Sequence, residues 1–227
     1  MADIVERLLS THPARPELVV HEMDPAQAAP TELWPEEFAL IERAIAKRQC
    51  EFAAGRILAR RAMKTLGVSE KPILRGQDRA PIWPSGLTGS ITHTRSHCAV
   101  VLARANGTVR AVGVDVEQSE PLKEHLLEAI TTERERAWLG ERHSPLLHAK
   151  ALFSAKEAAY KAQYVMTNTY LGFGAMDVQL DLEAGTFEAR MNQPVGEGAE
   201  RFEIGHRFHG HVRIDGPLLA TALVLPR

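Results

Sequence analysis

Asp115 and Glu117 stand one valine apart in the run Gly113-Val114-Asp115-Val116-Glu117. In an extended chain successive side chains alternate between faces, so the two acids share one face and Val114 and Val116 take the other. Like charges side by side repel, and a hard cation such as Mg2+ between them removes the cost. Further on, Phe153-Ser154-Ala155-Lys156-Glu157-Ala158-Ala159-Tyr160-Lys161 reads as helix, with Glu157 one turn before Lys161. Asp115, Glu117 and Glu157 would supply the carboxylates of a Mg2+ site completed by substrate phosphates. Lys156, Lys161, Arg48 and Arg56 are the candidate cations for phosphate oxygens, arginine as a two-pronged grip and lysine as a movable point charge. The plainer readings are a strand end whose acids face water and a surface Glu–Lys pair contributing about 0.2–0.5 kcal/mol to a helix. The small apolar neighbours Ala155, Ala158 and Ala159 argue that this helix is packed, which favours a site.

Elements that would position these groups follow from the hydropathy pattern. Residues 1 to 35 hold short apolar pieces broken by prolines, suiting a strand or two and turns. From Glu36 to Leu66, Phe38, Ile41, Ile45, Phe52, Ile57, Leu58 and Met63 recur near helical spacing, predicting one long helix with a solvated basic face and Gly67 as its cap. The Ser90-Ile91-Thr92-His93-Thr94 segment leads into a buried strand from Cys98 to Ala103. Asn106-Gly107 then signals a hairpin turn that would lay this region beside the Asp115 strand. Thr132-Glu133-Arg134-Glu135 is a capping box, and Ser144-Pro145 opens the helix that carries Glu157 to about Tyr164. Alternating segments at Val178–Leu182, Thr186–Met191, Arg201–Ile214 and Leu218–Leu225 predict an antiparallel sheet.

The chain has 227 residues, 44% hydrophobic and 25% charged, which suits one large domain or two small lobes. A formal charge of −2 provides no general attraction to nucleic acid, so a phosphate site must be local. Cys50 and Cys98 are the only cysteines and read as reduced thiols. With no signal-peptide pattern and no membrane-length apolar run, a cytoplasmic protein with no membrane partner is expected. His206, His209 and His211 mimic a zinc strand, but no cysteine or carboxylate motif completes a tetrahedral set, and a solvated strand face is the expectation. Walker and dinucleotide glycine motifs are absent.

The two acidic segments, in this order and with this content, resemble the signature of the Sfp-type and enterobactin-type 4'-phosphopantetheinyl transferases. The resemblance extends upstream to Arg48 with Glu51-Phe52-Ala53-Ala54-Gly55-Arg56, to Pro72-Ile73-Leu74-Arg75, Pro81-Ile82-Trp83-Pro84 and Gly89-Ser90-Ile91-Thr92-His93, as in the branch with mycobacterial and streptomycete members. It implies an α/β (α+β) fold, a pseudo-dimer of two similar lobes, each a small antiparallel sheet packed with a long helix, with the active site in the cleft between them. The lobes would be residues 1–112, holding the adenosine end of coenzyme A, and 113–227, holding the metal acids and catalytic helix. Asp115, Glu117 and Glu157 match the family's metal ligands, with Mg2+ expected and Mn2+ a possible substitute. Arg48, Arg56, Arg75 and His93 match contacts to the adenosine end, with Arg79 a second candidate for the role of Arg75. Ser90 and Thr92 match phosphate contacts, and Lys156 and Lys161 fall near the pyrophosphate.

The implied reaction moves the phosphopantetheine arm of coenzyme A to a serine of an acyl, peptidyl or aryl carrier protein and releases adenosine 3',5'-bisphosphate. Glu157 would take the serine proton, directly or through water, and Lys161 would serve the leaving phosphate. Such an enzyme serves fatty-acid, polyketide, nonribosomal-peptide or siderophore assembly, and one chain would suffice as a monomer. The acceptor surface is expected in the segment after Glu117. Without the resemblance, two other readings stand: a non-catalytic module binding coenzyme A or carrier protein, and a metal-dependent phosphohydrolase.

Overall fold

A computed structural model describes residues 3–76 and 78–227. The chain opens with helix α1 (Ile4–Leu9), strand β1 (Val19–Met23) and a one-turn helix α2 (Pro35–Phe38). The single helix expected from Glu36 to Leu66 is broken: after Phe38 the chain makes two tight turns and restarts as α3 (Ala46–Thr65). Ile41 is buried in the core while Ile45 stands out in solvent, so the apolar spacing across the break was not one helical face. Gln49 secures the turn by donating to the carbonyls of Ile41 and Glu42 at 3.2 and 3.1 Å. Gly67 ends α3 as expected, at φ +66°, where Val68 N reaches back to Met63 O at 2.9 Å.

The basic face of α3 is solvated only in part. Arg60 is buried and donates to Glu37 at 2.5 Å, and Glu37, with no exposed surface, also accepts from Ile73 N at 2.8 Å. Arg56 is buried beside them, 3.7 Å over the Phe52 ring, and donates to Ile73 O at 3.1 Å. Both groups of the Ile73 backbone are therefore clamped, which fixes the start of a two-residue hairpin, β2 (Leu74–Arg75) with β3 (Pro81–Ile82).

Three longer strands follow: β4 (Leu87–His93), β5 (Cys98–Arg104) and β6 (Val109–Gln118). The predicted β5–β6 hairpin does not form. β4, β5 and β1 make a three-stranded sheet in the order β1-β5-β4, whereas β6 begins a five-stranded one. That second sheet runs β6-β10-β9-β8-β7, with β7 (Met176–Asp181), β8 (Thr186–Met191), β9 (Arg207–Asp215) and β10 (Leu218–Pro226), all antiparallel. The division expected at residue 112 thus falls inside β6. β6 does lie beside the His93 strand, by another route: β4 side chains replace a backbone ladder. Ser90 Oγ accepts from Val114 N at 3.1 Å, Thr92 Oγ1 accepts from Val116 N at 3.0 Å, and Gln118 Nε2 donates to Thr94 Oγ1 at 3.1 Å. The period of two on both strands makes this a seam joining the sheets.

Between β6 and β7 lie α4 (Leu127–Ile130), α5 (Glu133–Leu139) and the long α6 (Pro145–Thr167). The capping box forms: Thr132 Oγ1 accepts from Glu135 N at 3.2 Å, and Glu135 accepts from Thr132 N at 2.8 Å. α3 packs on β5 and β1, and α6 on β6 and β10. On the far side, Ile4, Val5 and Leu9 of α1 pack with Val101 of β5 and Val112, Val114 and Val116 of β6, one apolar core spanning both sheets.

The approach of α6 to β6 is closer than a side chain at position 113 allows. A Cβ on Gly113 would sit 1.9 Å from Ala158 O and 2.8 Å from Ala162 N. Ser154 locks the same helix to β10, its hydroxyl 2.9 Å from that of Thr221, which also donates to Ser154 O at 2.8 Å. Because the obstacle at Gly113 is backbone, Gly113→Ala is expected to destabilise the fold by about 3 kcal/mol or more. Urea unfolding of the variant against the parent chain measures this.

Candidate active site

From Gly113 onward the odd-numbered residues of β6 face α6. Gly113 meets Ala158, Asp115 meets Lys161, and Glu117 meets Lys150. Val114 and Val116 are fully buried on the opposite face, as the alternation of an extended strand predicts. Lys161 Nζ lies 2.7 Å from Asp115 Oδ1 and 3.0 Å from Val114 O. Lys150 Nζ lies 3.1 Å from Glu117 Oε2. On a helix turning about 100° per residue, positions 150, 157 and 161 fall in one stripe, so Glu157 stands between the two lysines on the side facing the strand.

Burial pushes the Glu157 carboxyl above its ordinary range; Lys161 opposes this, and Asp115 and Glu117 add to it by repulsion. Glu117 is raised as well, by burial first and then by Asp115, with Lys150 opposing. The folded acids thus hold protons to higher pH than unfolded ones. Their charge costs the free protein stability, a cost absent below the unfolded glutamate value and complete above the folded one. One oxygen of this cluster is singular: Asp115 is 5% exposed, and its Oδ2 is buried without a hydrogen-bond partner among the described residues. A buried, unpartnered carboxylate oxygen near acids of like sign suits a divalent cation, so donor type and the free oxygen both fit. No three His, Cys, Asp or Glu side chains among the described residues are gathered closely enough to hold a metal ion by themselves.

Lys156 departs from expectation. Its ammonium is 3% exposed and its three protons go to Glu135 Oε2 at 2.6 Å, Phe173 O at 2.9 Å and Ile130 O at 3.0 Å. Burial pulls its pKa down, and Glu135 partly restores it. Glu135 is itself saturated, accepting also from Val178 N at 2.7 Å. Lys156 therefore staples α4, α5 and the segment before β7 onto α6, and has no donor left for a pyrophosphate. Lys150, absent from the sequence-based set, is the second lysine at the acids; its spacing of seven from Glu157 was the available signal.

Ser90 and Thr92 accept from β6 amides across the seam, and both are buried. Arg48, Glu51 and His93 form a separate cluster: Arg48 Nη1 donates to His93 Nε2 at 2.6 Å and to Glu51 at 3.3 Å, with His93 Nδ1 3.6 Å from Glu51. Burial first, then Arg48, holds the His93 pKa below its usual value, so the ring is a neutral acceptor toward arginine. Arg75 is exposed and, with Arg43 and Arg48, lines a hollow of about 440 Å3. Arg56 lies beneath, its pKa lowered by burial to about 10 and still charged at neutral pH. Arg79, with φ +72°, borders a cleft of about 520 Å3 between β4 and α6, which Trp83, Ser90, Tyr160, Lys161 and Tyr164 also line. A smaller notch is lined by Lys156, Glu157, Tyr160, Tyr170, Leu171 and Phe173. Cys98 is inert, its pKa raised by burial to about 12. His209 is well exposed and no metal cluster includes it, and no described helix is long and apolar enough to cross a membrane.

Acids and lysines gathered where two antiparallel sheets join, with the Arg48–His93 cluster close by, suit a phosphate-handling α+β enzyme. Comparison with known proteins narrows the class. Residues 36–103 match the 4'-phosphopantetheinyl transferase N-terminal domain, and residues 111–216 match the 4'-phosphopantetheinyl transferase superfamily. The chain is 39% identical over 165 residues to 4'-phosphopantetheinyl transferase Svp of Streptomyces mobaraensis, covering 71% of this chain and 67% of that one. It is 39% identical over 157 residues to 4'-phosphopantetheinyl transferase PptT of Mycobacterium tuberculosis, 69% of each. Enterobactin synthase component D of Escherichia coli K12 is 32% identical over 163 residues, 70% of this chain and 74% of that one. The chain belongs to the 4'-phosphopantetheinyl transferase superfamily and is a transferase of that type.

The structural role of Lys156 is tested by Lys156→Met. Removing one partner of a fully buried pair is expected to cost about 3–5 kcal/mol. A shift of the urea midpoint of that size, with coenzyme A absent, checks it; a stability equal to the parent's would return Lys156 to the substrate.

Proposed function

We propose that this protein transfers the 4'-phosphopantetheine arm of coenzyme A to a serine hydroxyl of an acyl or peptidyl carrier protein and releases adenosine 3',5'-bisphosphate. The observation that carries the reading is the β6–α6 junction: Asp115 with one oxygen on Lys161 and the other buried and free, beside Glu157, in a chain of this family. The names of the relatives, two 4'-phosphopantetheinyl transferases and an enterobactin synthase component, support carrier proteins of siderophore and related assembly lines as acceptors.

Coenzyme A offers an anionic adenosine end, a pyrophosphate and a neutral arm. Arg48, Arg75 and His93 receive the first, with Arg56 adding charge from below and Arg79 at the cleft edge. Lys161, and Lys150 in the place expected for Lys156, face the pyrophosphate. The uncharged arm runs along the apolar notch of Tyr160, Tyr170, Leu171 and Phe173. Asp115, Glu117 and Glu157 would hold Mg2+, with Mn2+ as a substitute, and its charge when bound polarises the pyrophosphate oxygens. The serine oxygen bonds to the phosphorus that carries pantetheine while the bond from that phosphorus to the bridging oxygen breaks. That oxygen stays with the adenosine bisphosphate. Glu157 takes the serine proton, and Lys161 balances charge on the leaving phosphate.

The test is to incubate the protein with coenzyme A, Mg2+ and an unmodified carrier protein and weigh the carrier. A mass gain equal to the phosphopantetheine arm is expected, falling by about 100-fold or more in rate for Glu157→Gln. Arg48→Ala is expected to raise the KM for coenzyme A with a smaller effect on kcat. Coenzyme A binding without mass gain would make the protein a binding module, and phosphate release without mass gain a phosphohydrolase.

A further inference from the structure

Asp115 has two carboxylate oxygens in unlike surroundings. Oδ1 accepts from Lys161 at 2.7 Å and from Thr92 Oγ1 at 3.2 Å; Oδ2 is buried and accepts from nothing described. The direction of the Thr92 bond is settled by its other partner. Val116 N–H is only a donor, so the threonine oxygen accepts there, at 3.0 Å, and its single hydrogen is left for Asp115. Thr92 is a β-branched residue, 3% exposed, on a strand paired along its length with β5. Lys161 is by contrast a flexible point charge that follows either oxygen of a rotating carboxylate. A donor set rigidly in the seam does not follow it.

We propose that Thr92 is a positioning residue, which fixes the Asp115 carboxylate so that Oδ2 is presented to a divalent cation. The inference rests on the metal reading above and assigns Thr92 to the acid instead of to a substrate phosphate. It also makes the join between the two sheets part of the site: the hydroxyl that closes the seam at Val116 is the one that orients the acid. Ser90, two residues earlier on the same face, closes the seam at Val114 and is 3.1 Å from that amide. No bond joins it to an acid, so it is the internal control for a purely structural effect.

The experiment measures Mn2+ affinity of the full chain by electron paramagnetic resonance of the free ion, with and without coenzyme A, beside urea unfolding of each variant. Thr92→Val keeps shape and removes the hydroxyl; it is expected to weaken Mn2+ binding about 10-fold or more, in the range seen when a group that orients a metal ligand is lost. Thr92→Ser is expected to restore affinity to within about threefold. Ser90→Ala, which frees one strand amide just as Thr92→Val does, should lower the urea midpoint comparably and leave Mn2+ affinity unchanged. Thr92→Ala substitutes if the valine variant does not fold. Parent-like Mn2+ binding in Thr92→Val, or equal weakening in Ser90→Ala, overturns the proposal. Asp115→Asn separates it from its premise: if Mn2+ binds the parent and Asp115→Asn alike, or neither, the metal reading fails and the proposal with it.

Discussion

The site depends on how closely one strand approaches one helix. With no side chain at Gly113, β6 lies against the backbone of α6 at Ala158 and Ala162, and the strand's odd-numbered face is pressed onto a helical stripe. That contact carries Asp115 to Lys161 and Glu117 to Lys150 two and four residues later. It also buries the acids, and burial is the largest cause of the raised pKa of Glu117 and Glu157. The Ser154–Thr221 bonds and the Lys156–Glu135 pair reinforce the same docking from the helix's other sides.

The charges around this junction divide by burial. Lys156 and Glu135 are saturated, enclosed and structural, the kind of pair whose loss leaves an uncompensated charge in the core. Lys150 and Lys161 hold the acids from positions still open to solvent, so a substrate phosphate can draw them away. Lysines on one helix thus differ in role because about 120–140° of rotation separates Lys156, packed against α5, from Lys150 and Lys161, facing β6. The acids are destabilising for the free protein, a common cost where charge is assembled for chemistry.

Much of this was legible in the sequence. The two-residue alternation placed both acids on one strand face, and the capping box and Ser144-Pro145 located α5 and α6, because these signals are local. The hairpin from Asn106-Gly107 failed because a turn signal does not say which sheet each arm joins; β5 pairs with β1 and β4, while β6 pairs with β10, distant in sequence. The helix from Glu36 to Leu66 failed where Ile41 and Ile45, at helical spacing, point to core and solvent across a turn. Ser90 and Thr92 were read for their hydroxyls alone, and only the register of β4 against β6 shows those hydroxyls occupied. Lys156 was read as a phosphate cation from its place in the motif, whereas its burial against Glu135 and the helical phase of Lys150 become visible only in the fold.

The central claim is that Asp115 and its partners join a divalent cation to the pyrophosphate of coenzyme A. Calorimetric titration of coenzyme A into the protein, with Mg2+ and then with a chelator, tests it most directly. The account predicts tighter coenzyme A binding with Mg2+, by about tenfold or more, and loss of that gain in Asp115→Asn. Equal affinity with Mg2+ and with chelator, or a gain that survives Asp115→Asn, would contradict it.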